Sequence, residues 1–147
     1  MVYILYSELT QKIDTLTHLL NRRSYESRPA SLRGQAVIYY FDVDEFKSVN
    51  DTFGHGVGDE VLAEVGSTIY AVFSKVGYCC RVGGDEFCVI AQISDTAAEK
   101  YLSEFLRELT ARRVKNEHLP HVSVGYACFN PVLGSVEDAI KRADRTM

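Results

Sequence analysis

The stretch Arg81-Val82-Gly83-Gly84-Asp85-Glu86-Phe87 constrains this chain most, because it sets two glycines and two carboxylates between apolar runs. Upstream, Val76 to Arg81 carries a valine, a tyrosine and two cysteines; downstream, Phe87-Cys88-Val89-Ile90-Ala91 is almost wholly apolar. Two such runs around a Gly-Gly-Asp turn predict a β-hairpin with a buried base. Glycine allows a backbone to approach a ligand closely and to adopt positive φ. Adjacent carboxylates repel unless a cation or a proton settles them. A Gly-Gly-acid turn taken alone is more often a solvated tip, so the remainder of the chain has to decide its role.

A second constraint comes from Ala36-Val37-Ile38-Tyr39-Tyr40-Phe41, a continuous apolar run that predicts a central strand buried on both faces. It ends in Asp42-Val43-Asp44, and spacing by two puts both carboxylates on one side of an extended chain. Asp44 is assigned as the cap of a helix starting at Glu45. Asp42 needs a partner, because a carboxylate at the end of a core strand is costly without one. A calcium-binding EF-hand loop from Asp42 fails: its sixth position is Lys47 instead of glycine, and its twelfth is Phe53 instead of glutamate.

At 147 residues and 16.5 kDa the chain is expected to be one domain with a substantial core. A net charge of −4 argues against a nucleic-acid surface, so no nucleic-acid partner is expected. The four cysteines contain no CxxC pair, which favours buried reduced thiols over zinc ligands or disulfides and points to the cytosol. Cys79 and Cys80 should face opposite sides of their strand. No stretch reaches membrane-span length, and Met1 to Tyr6 is too short for a signal peptide.

The periodicity predicts a short helix over Tyr3 to Ile13, as the stub of a linker. Asp14 to Arg23 reads as a polar-capped turn entering a helix, with Asp14 or Thr17 as cap. Arg28 to Gly34 reads as a loop. Val57, Val61, Leu62, Val65, Ile69, Val72 and Phe73 form the apolar stripe of a helix of about five turns. Thr96 to Glu99 reads as a capping box opening a helix with Ala98, Tyr101, Leu102, Phe105 and Leu109 inward. Its basic end, Arg112, Arg113 and Lys115, is taken as solvated charge. A strand over His121 to Phe129 and a helix capped within Ser135 to Asp138 follow. The sum is an α+β fold, a mostly antiparallel central sheet flanked by helices.

Gly83-Gly84-Asp85-Glu86-Phe87 resembles the signature of the GGDEF domains, the diguanylate cyclases that make cyclic di-GMP from two GTP. Asp14-Thr15-Leu16-Thr17-His18-Leu19-Leu20-Asn21-Arg22-Arg23 is similar to that family's opening Asp-x-Leu-Thr-Gly-Leu-x-Asn-Arg-Arg, with His18 where glycine is usual. Asp42 to Asp59 fits Asp-x-Asp-x-Phe-Lys-x-x-Asn-Asp-x-x-Gly-His-x-x-Gly-Asp at every specified position. Ser123-Val124-Gly125-Tyr126-Ala127 is like the family's Ser-x-Gly-x-Ala strand. The resemblance implies a fold similar to nucleotide cyclase and polymerase palm domains. It divides the chain into a linker helix stub over 1–13 and a GGDEF domain over 14–147.

It also implies a chemistry. Asp42, Asp85 and the carbonyl of Val43 would hold Mg²⁺ or Mn²⁺, two per active site, with Glu86 binding the second metal or taking the hydroxyl proton. Gly83 and Gly84 would lie against substrate. Lys47 and the amides around Glu45 and Phe46 would meet the phosphates. Asn50 and Asp59 would read guanine, the carboxylate accepting from N1–H and the 2-amino group. The symmetric product implies a homodimer with one GTP per subunit, governed by an upstream sensory or membrane domain, the domain itself lying in the cytoplasm. A non-catalytic module that binds GTP or cyclic di-GMP and signals through a partner is the alternative. Many relatives bind product at an Arg-x-x-Asp motif; the matching positions are Ser74 and Gly77, so no such inhibition is expected. The family's final helix runs on into a lysine and an arginine that hold the triphosphate. The expectation is therefore a domain truncated at its C-terminus that binds GTP weakly.

Overall fold

A computed structural model describes residues 12–26, 34–129 and 136–145. The readings for Tyr3 to Gln11, for Arg28 to Arg33 and for Ser135 lie outside the described residues. In chain order the elements are α1 (Arg22–Glu26), β1 (Ala36–Val43), α2 (Phe46–Phe53), α3 (His55–Phe73), β2 (Gly77–Arg81), β3 (Glu86–Ala91), α4 (Ala98–Lys115), β4 (Val122–Phe129) and α5 (Val136–Arg145). The strands form one sheet in the order β2-β3-β1-β4, and each pairing is antiparallel. Among the described residues no helix is long and apolar enough to cross a membrane.

β1 is central because its residues are buried on both faces. Val37, Tyr39, Phe41 and Val43 join a cluster with Val61, Val65, Ile69 and Phe73 of α3 and Phe105 and Leu109 of α4. Ile38 faces the other way, with Cys88, Ile90, Ala127 and the small residues Ala139 and Ala143 of α5. Aromatic rings lock the first cluster: Phe41 meets Phe105 edge-on at 4.9 Å, and Tyr39 lies 4.7 Å from Phe73. The Tyr39 hydroxyl donates to the Ala98 carbonyl at 2.7 Å, so its burial leaves no stranded polar atom. Cys79 and Cys80 fall in opposite clusters, as a two-residue period requires.

Two capping assignments do not hold. Asp44 does not cap α2; Glu45 occupies that position without a side-chain bond, and Asp44 instead accepts from the Ser123 hydroxyl of β4. Thr96 opens no capping box. A short 3₁₀ turn over Asp95–Ala97 precedes α4, Thr96 bonds Ser94, and Glu99 accepts from Tyr126 on β4. The Asp14 carboxylate accepts from the Thr17 amide and hydroxyl, but this closes a turn; the later helix α1 is capped by Asn21, which accepts from the Ser24 amide at 2.9 Å. The basic end of α4 is also anchored more firmly than solvated charge. Arg112 contacts Glu108 and Ser67, and Arg113 donates to the Leu119 carbonyl.

Gly77 sits where β2 crosses the end of β3. A Cβ there would lie 2.2 Å from the Ile90 carbonyl oxygen and 2.7 Å from the Ala91 Cα, both backbone atoms that cannot swing aside. Gly77→Ala should therefore destabilise the fold by at least about 1–3 kcal/mol, the usual cost of overpacking. Urea unfolding of the two proteins measures it, and an unchanged midpoint would show that β2 relaxes freely.

Candidate active site

The site lies where the ends of β1 and β3 meet. In the β1–β3 register Phe41 faces Phe87 and Asp42 faces Glu86. One residue further the Val43 amide donates to the Asp85 carbonyl at 3.1 Å, which carries the pairing into the turn. The turn itself is tight: the amides of Val82 and Gly83 both donate to the Glu86 carbonyl, at 2.9 and 3.2 Å. Gly83 is needed for proximity, since a Cβ on it would approach the Glu86 Cβ to 3.2 Å. Gly84 has nothing near its absent side chain. Neither glycine takes positive φ, which corrects one reason given for their presence.

Three carboxylates converge here. Asp42 is half-buried beside Asp85, and its carboxyl is pushed up to about 6, first by burial and then by the neighbouring Asp85, Glu86 and Asp44 carboxylates. Glu86 is held from below by the Tyr40 hydroxyl, which donates to its Oε2. Burial and that bond push the Tyr40 phenol well above its ordinary range. Sequence reasoning passed over Tyr40, because a tyrosine within an apolar run reads as core. Its place two residues before Asp42, on the same face of β1, was the available signal.

A clasp from the N-terminal segment holds the tip. Arg81 pairs with Asp14 at 3.1 Å and donates to the Gly84 carbonyl at 2.8 Å, while Arg22 donates to the Val82 carbonyl at 3.0 Å. Burial alone would raise the Asp14 carboxyl, but the Thr17 hydroxyl and amide and the Arg81 guanidinium outweigh it and hold it below the usual range. His18, in this same segment, adopts φ 62°, a left-handed conformation that explains why glycine is usual there.

Asn50 ends up in the last turn of α2 and Asp59, exposed, at the start of the second turn of α3. The two helices meet across Gly54, whose φ of 89° makes the corner. Asn50 Oδ1 is buried without a hydrogen-bond partner. Glu45 takes φ 55° immediately before α2, and Phe46 and Lys47 open that helix with no side-chain cap. A cavity of about 580 Å³ is lined by Asp44, Glu45, Arg113, Pro120 and His121. Arg113 is thus a cation next to the Glu45 corner that sequence reasoning had set aside.

The donor set suits a divalent cation. Asp42 lies beside Asp85, and neighbouring carboxylates repel unless a proton or a cation settles them. Among the described residues no group of three acidic, histidine or cysteine side chains forms a metal cage. Mg²⁺ needs none, since it takes one or two carboxylates and completes its shell with water and phosphate oxygens.

A family model described as "Diguanylate cyclase, GGDEF domain" matches residues 11–147. A protein named diguanylate cyclase from Vibrio cholerae is 31% identical over 91% of this chain and 44% of its own length. A probable diguanylate cyclase, DgcC of Escherichia coli K12, is 34% identical over 89% of this chain and 38% of its own. The chain thus spans less than half the length of these curated relatives. Among solved structures, the GGDEF domain of DgcB from Caulobacter crescentus in complex with c-di-GMP superposes with a TM-score of 0.78 at 30% identity, covering 91% of this chain and 86% of that one.

The raised Asp42 carboxyl makes a prediction for the metal-free chain. Its folded value near 6 exceeds the ordinary carboxyl value of 3.8, so the folded state binds the proton more tightly. That contribution is fully present below about pH 4 and is lost as pH rises through 6. Stability should fall between pH 4 and 7, whereas Asp42→Asn should flatten this slope and melt higher at pH 7. Calorimetric melts across that range test it; a wild-type melting point that rises with pH contradicts the arrangement.

Proposed function

The chain belongs to the GGDEF domain family, and on that premise we propose that it condenses two GTP into cyclic di-GMP, releasing two pyrophosphates. The observation that carries this reading is the placement of Asp42 at the end of buried β1, opposite Glu86 and next to a turn fixed by the Val43 amide–Asp85 carbonyl bond. Asp42, Asp85 and the Val43 carbonyl are the groups that would hold Mg²⁺ or Mn²⁺, with Glu86 serving a second cation. Such cations neutralise phosphate charge and favour ionisation of a bound hydroxyl.

The chain's own residues do the rest. Where it does not serve the second cation, Glu86 takes the proton of the attacking 3′-hydroxyl, its carboxylate plane fixed by the Tyr40 hydroxyl on Oε2. The amides opening α2 at Phe46, together with Lys47, meet phosphate oxygens. The left-handed turn at Glu45 aims those amides. Gly84, with open space around it, lets substrate lie against the hairpin. Asp59 accepts from N1–H and the 2-amino group of guanine and Asn50 completes the readout; adenine lacks that paired donor edge.

One domain holds one GTP, so the product requires a two-fold dimer whose alignment an upstream sensory or membrane domain would control. Buried thiols at Cys79, Cys80 and Cys88 suit the reducing cytoplasm, where GTP is found. A non-catalytic GTP or cyclic di-GMP receptor is the alternative, and retention of Asp42, Asp85 and Glu86 favours the enzyme.

Incubation with GTP and Mg²⁺ followed by chromatography is the decisive assay. Asp42→Asn and Asp85→Asn should each lower cyclic di-GMP formation by about 10²-fold or more while leaving the fold intact; near-normal turnover in either removes the metal assignment. Tyr40→Phe should lower kcat roughly tenfold with little change in KM, the net worth of one hydrogen bond to a charged group.

Feedback gives a separate test. Ser74 and Gly77 offer neither guanidinium nor carboxylate, and Gly77 has no room for a side chain. Excess cyclic di-GMP should leave the initial rate unchanged, and installing Ser74→Arg with Gly77→Asp should lower stability without creating inhibition. Inhibition relieved by mutating Ser74 or Lys75 would show the opposite.

A further inference from the structure

Gly58 stands in the first turns of α3, where glycine is the poorest helix former short of proline. Its φ is unexceptional, so backbone conformation does not call for it. The reason lies across the helix corner. A Cβ at position 58 would fall 1.8 Å from Asn50 Oδ1 and 3.0 Å from Asn50 Cγ, whereas the next neighbour, Phe46 Cζ, is at an ordinary 3.4 Å. The Asn50 carboxamide therefore occupies the volume that a side chain on residue 58 would fill.

The corner is braced on both sides of this contact. The Gly54 amide donates to the Asn50 carbonyl at 2.9 Å, and the Gly58 amide donates to the Gly54 carbonyl at 3.1 Å. With both backbones fixed, the carboxamide is the part that can move. It is also under-satisfied where it sits, because Oδ1 is buried with no hydrogen-bond partner. A buried amide oxygen without a partner costs free energy that rotation toward solvent would recover. Packing against the bare Cα of Gly58 keeps the carboxamide in the corner, with Asp59 the next residue along.

We propose that Gly58 is a positioning residue for purine recognition: its missing side chain is the seat of the Asn50 carboxamide, and any side chain there expels that group from the base-binding corner. This rests on the reading that Asn50 contacts the purine. Guanine supplies both donors and acceptors on the edge it presents, so a seated carboxamide can meet it through either atom. A carboxamide turned to solvent contributes nothing to choosing one base over another.

The experiment is a ¹H–¹⁵N NMR titration of the 147-residue chain with guanosine monophosphate and, separately, adenosine monophosphate, ligands that can be neither cyclised nor hydrolysed to pyrophosphate. Wild type, Gly58→Ala, Asn50→Ala and the double variant are compared, with a thermal melt of each. Gly58→Ala should bind the guanine nucleotide at least tenfold more weakly and lose the preference over adenine, while its fold persists. Asn50→Ala should lose the same preference. In the double variant the alanine at 58 should cause no further loss, and it should raise the melting temperature above that of Asn50→Ala, because the seat is vacant and alanine favours helix.

Wild-type affinity in Gly58→Ala overturns the inference while leaving the guanine reading standing. A further tenfold loss on adding Gly58→Ala to Asn50→Ala also overturns it, as does a double variant that melts below Asn50→Ala. The last comparison holds even if Gly58→Ala alone does not fold. Wild-type affinity in Asn50→Ala, or no guanine binding by the wild-type chain, removes the guanine reading itself and this inference with it.

Discussion

The antiparallel pairing of β1 with β3 is the constraint on which everything else depends. It runs without interruption from Val37 opposite Ala91 to Asp42 opposite Glu86. A slip of one residue would turn Tyr39 and Phe41 out of their cluster and put Ile38 in their place, so burial on both faces pins the register. Because the register is pinned by apolar contacts far from the chemistry, the carboxylates at its end cannot drift apart to relieve their repulsion. The apolar core thus supplies the free energy that holds Asp42 against Asp85. A cation that fits between them relieves that cost.

The hairpin tip requires more than its own turn. β2 would be an exposed sheet edge, and the backbone of Leu20 covers part of it, donating to the Cys79 carbonyl at 3.1 Å and accepting from the Arg81 amide at 2.8 Å. The same segment supplies Asp14 to Arg81 and Arg22 to the Val82 carbonyl. The clasp and the sheet therefore grip the Gly83–Asp85 turn from opposite sides. His18 at positive φ lies within this covering segment, a strained position tolerated because the bonds around it are satisfied.

The strands and long helices were readable from the sequence because they depend on period and burial. Ala36–Phe41 announces a two-faced core strand, and the stripe from Val57 to Phe73 announces α3, whatever surrounds them. The placement of Asp42 and Asp85 was readable for a related reason: Asp42 closes the apolar run of β1, Asp85 sits in the turn just before that of β3, and the two strands pair. Two caps were misread. Asp44 has the composition of a cap, but its bond depends on tertiary packing, which brings Ser123 from a strand 79 residues away, while Thr96 bonds Ser94 instead of the helix. Tyr40 and Arg113 were missed on the same ground, since their partners Glu86 and Leu119 become neighbours only when the fold closes.

Departures from local preference gather in the segment from Glu45 to Gly58. Glu45 takes a left-handed conformation, α2 opens without a side-chain cap, Gly54 turns a corner at φ 89°, and Gly58 weakens a helix start. Asn50 buries an oxygen without a partner in their midst. Each feature alone costs on the order of 1 kcal/mol. The strongly packed β1 on one side and the buried face of α3 on the other can carry such a cost, and Val49, Phe46 and Val57 tie the corner to that same core. The same features leave the first-turn amides of α2 without side-chain caps and the Asn50 carboxamide oxygen buried without a partner. On the proposed function, a nucleotide that engaged these groups would recover what the free protein forgoes, and the local cost would be exchanged for selectivity.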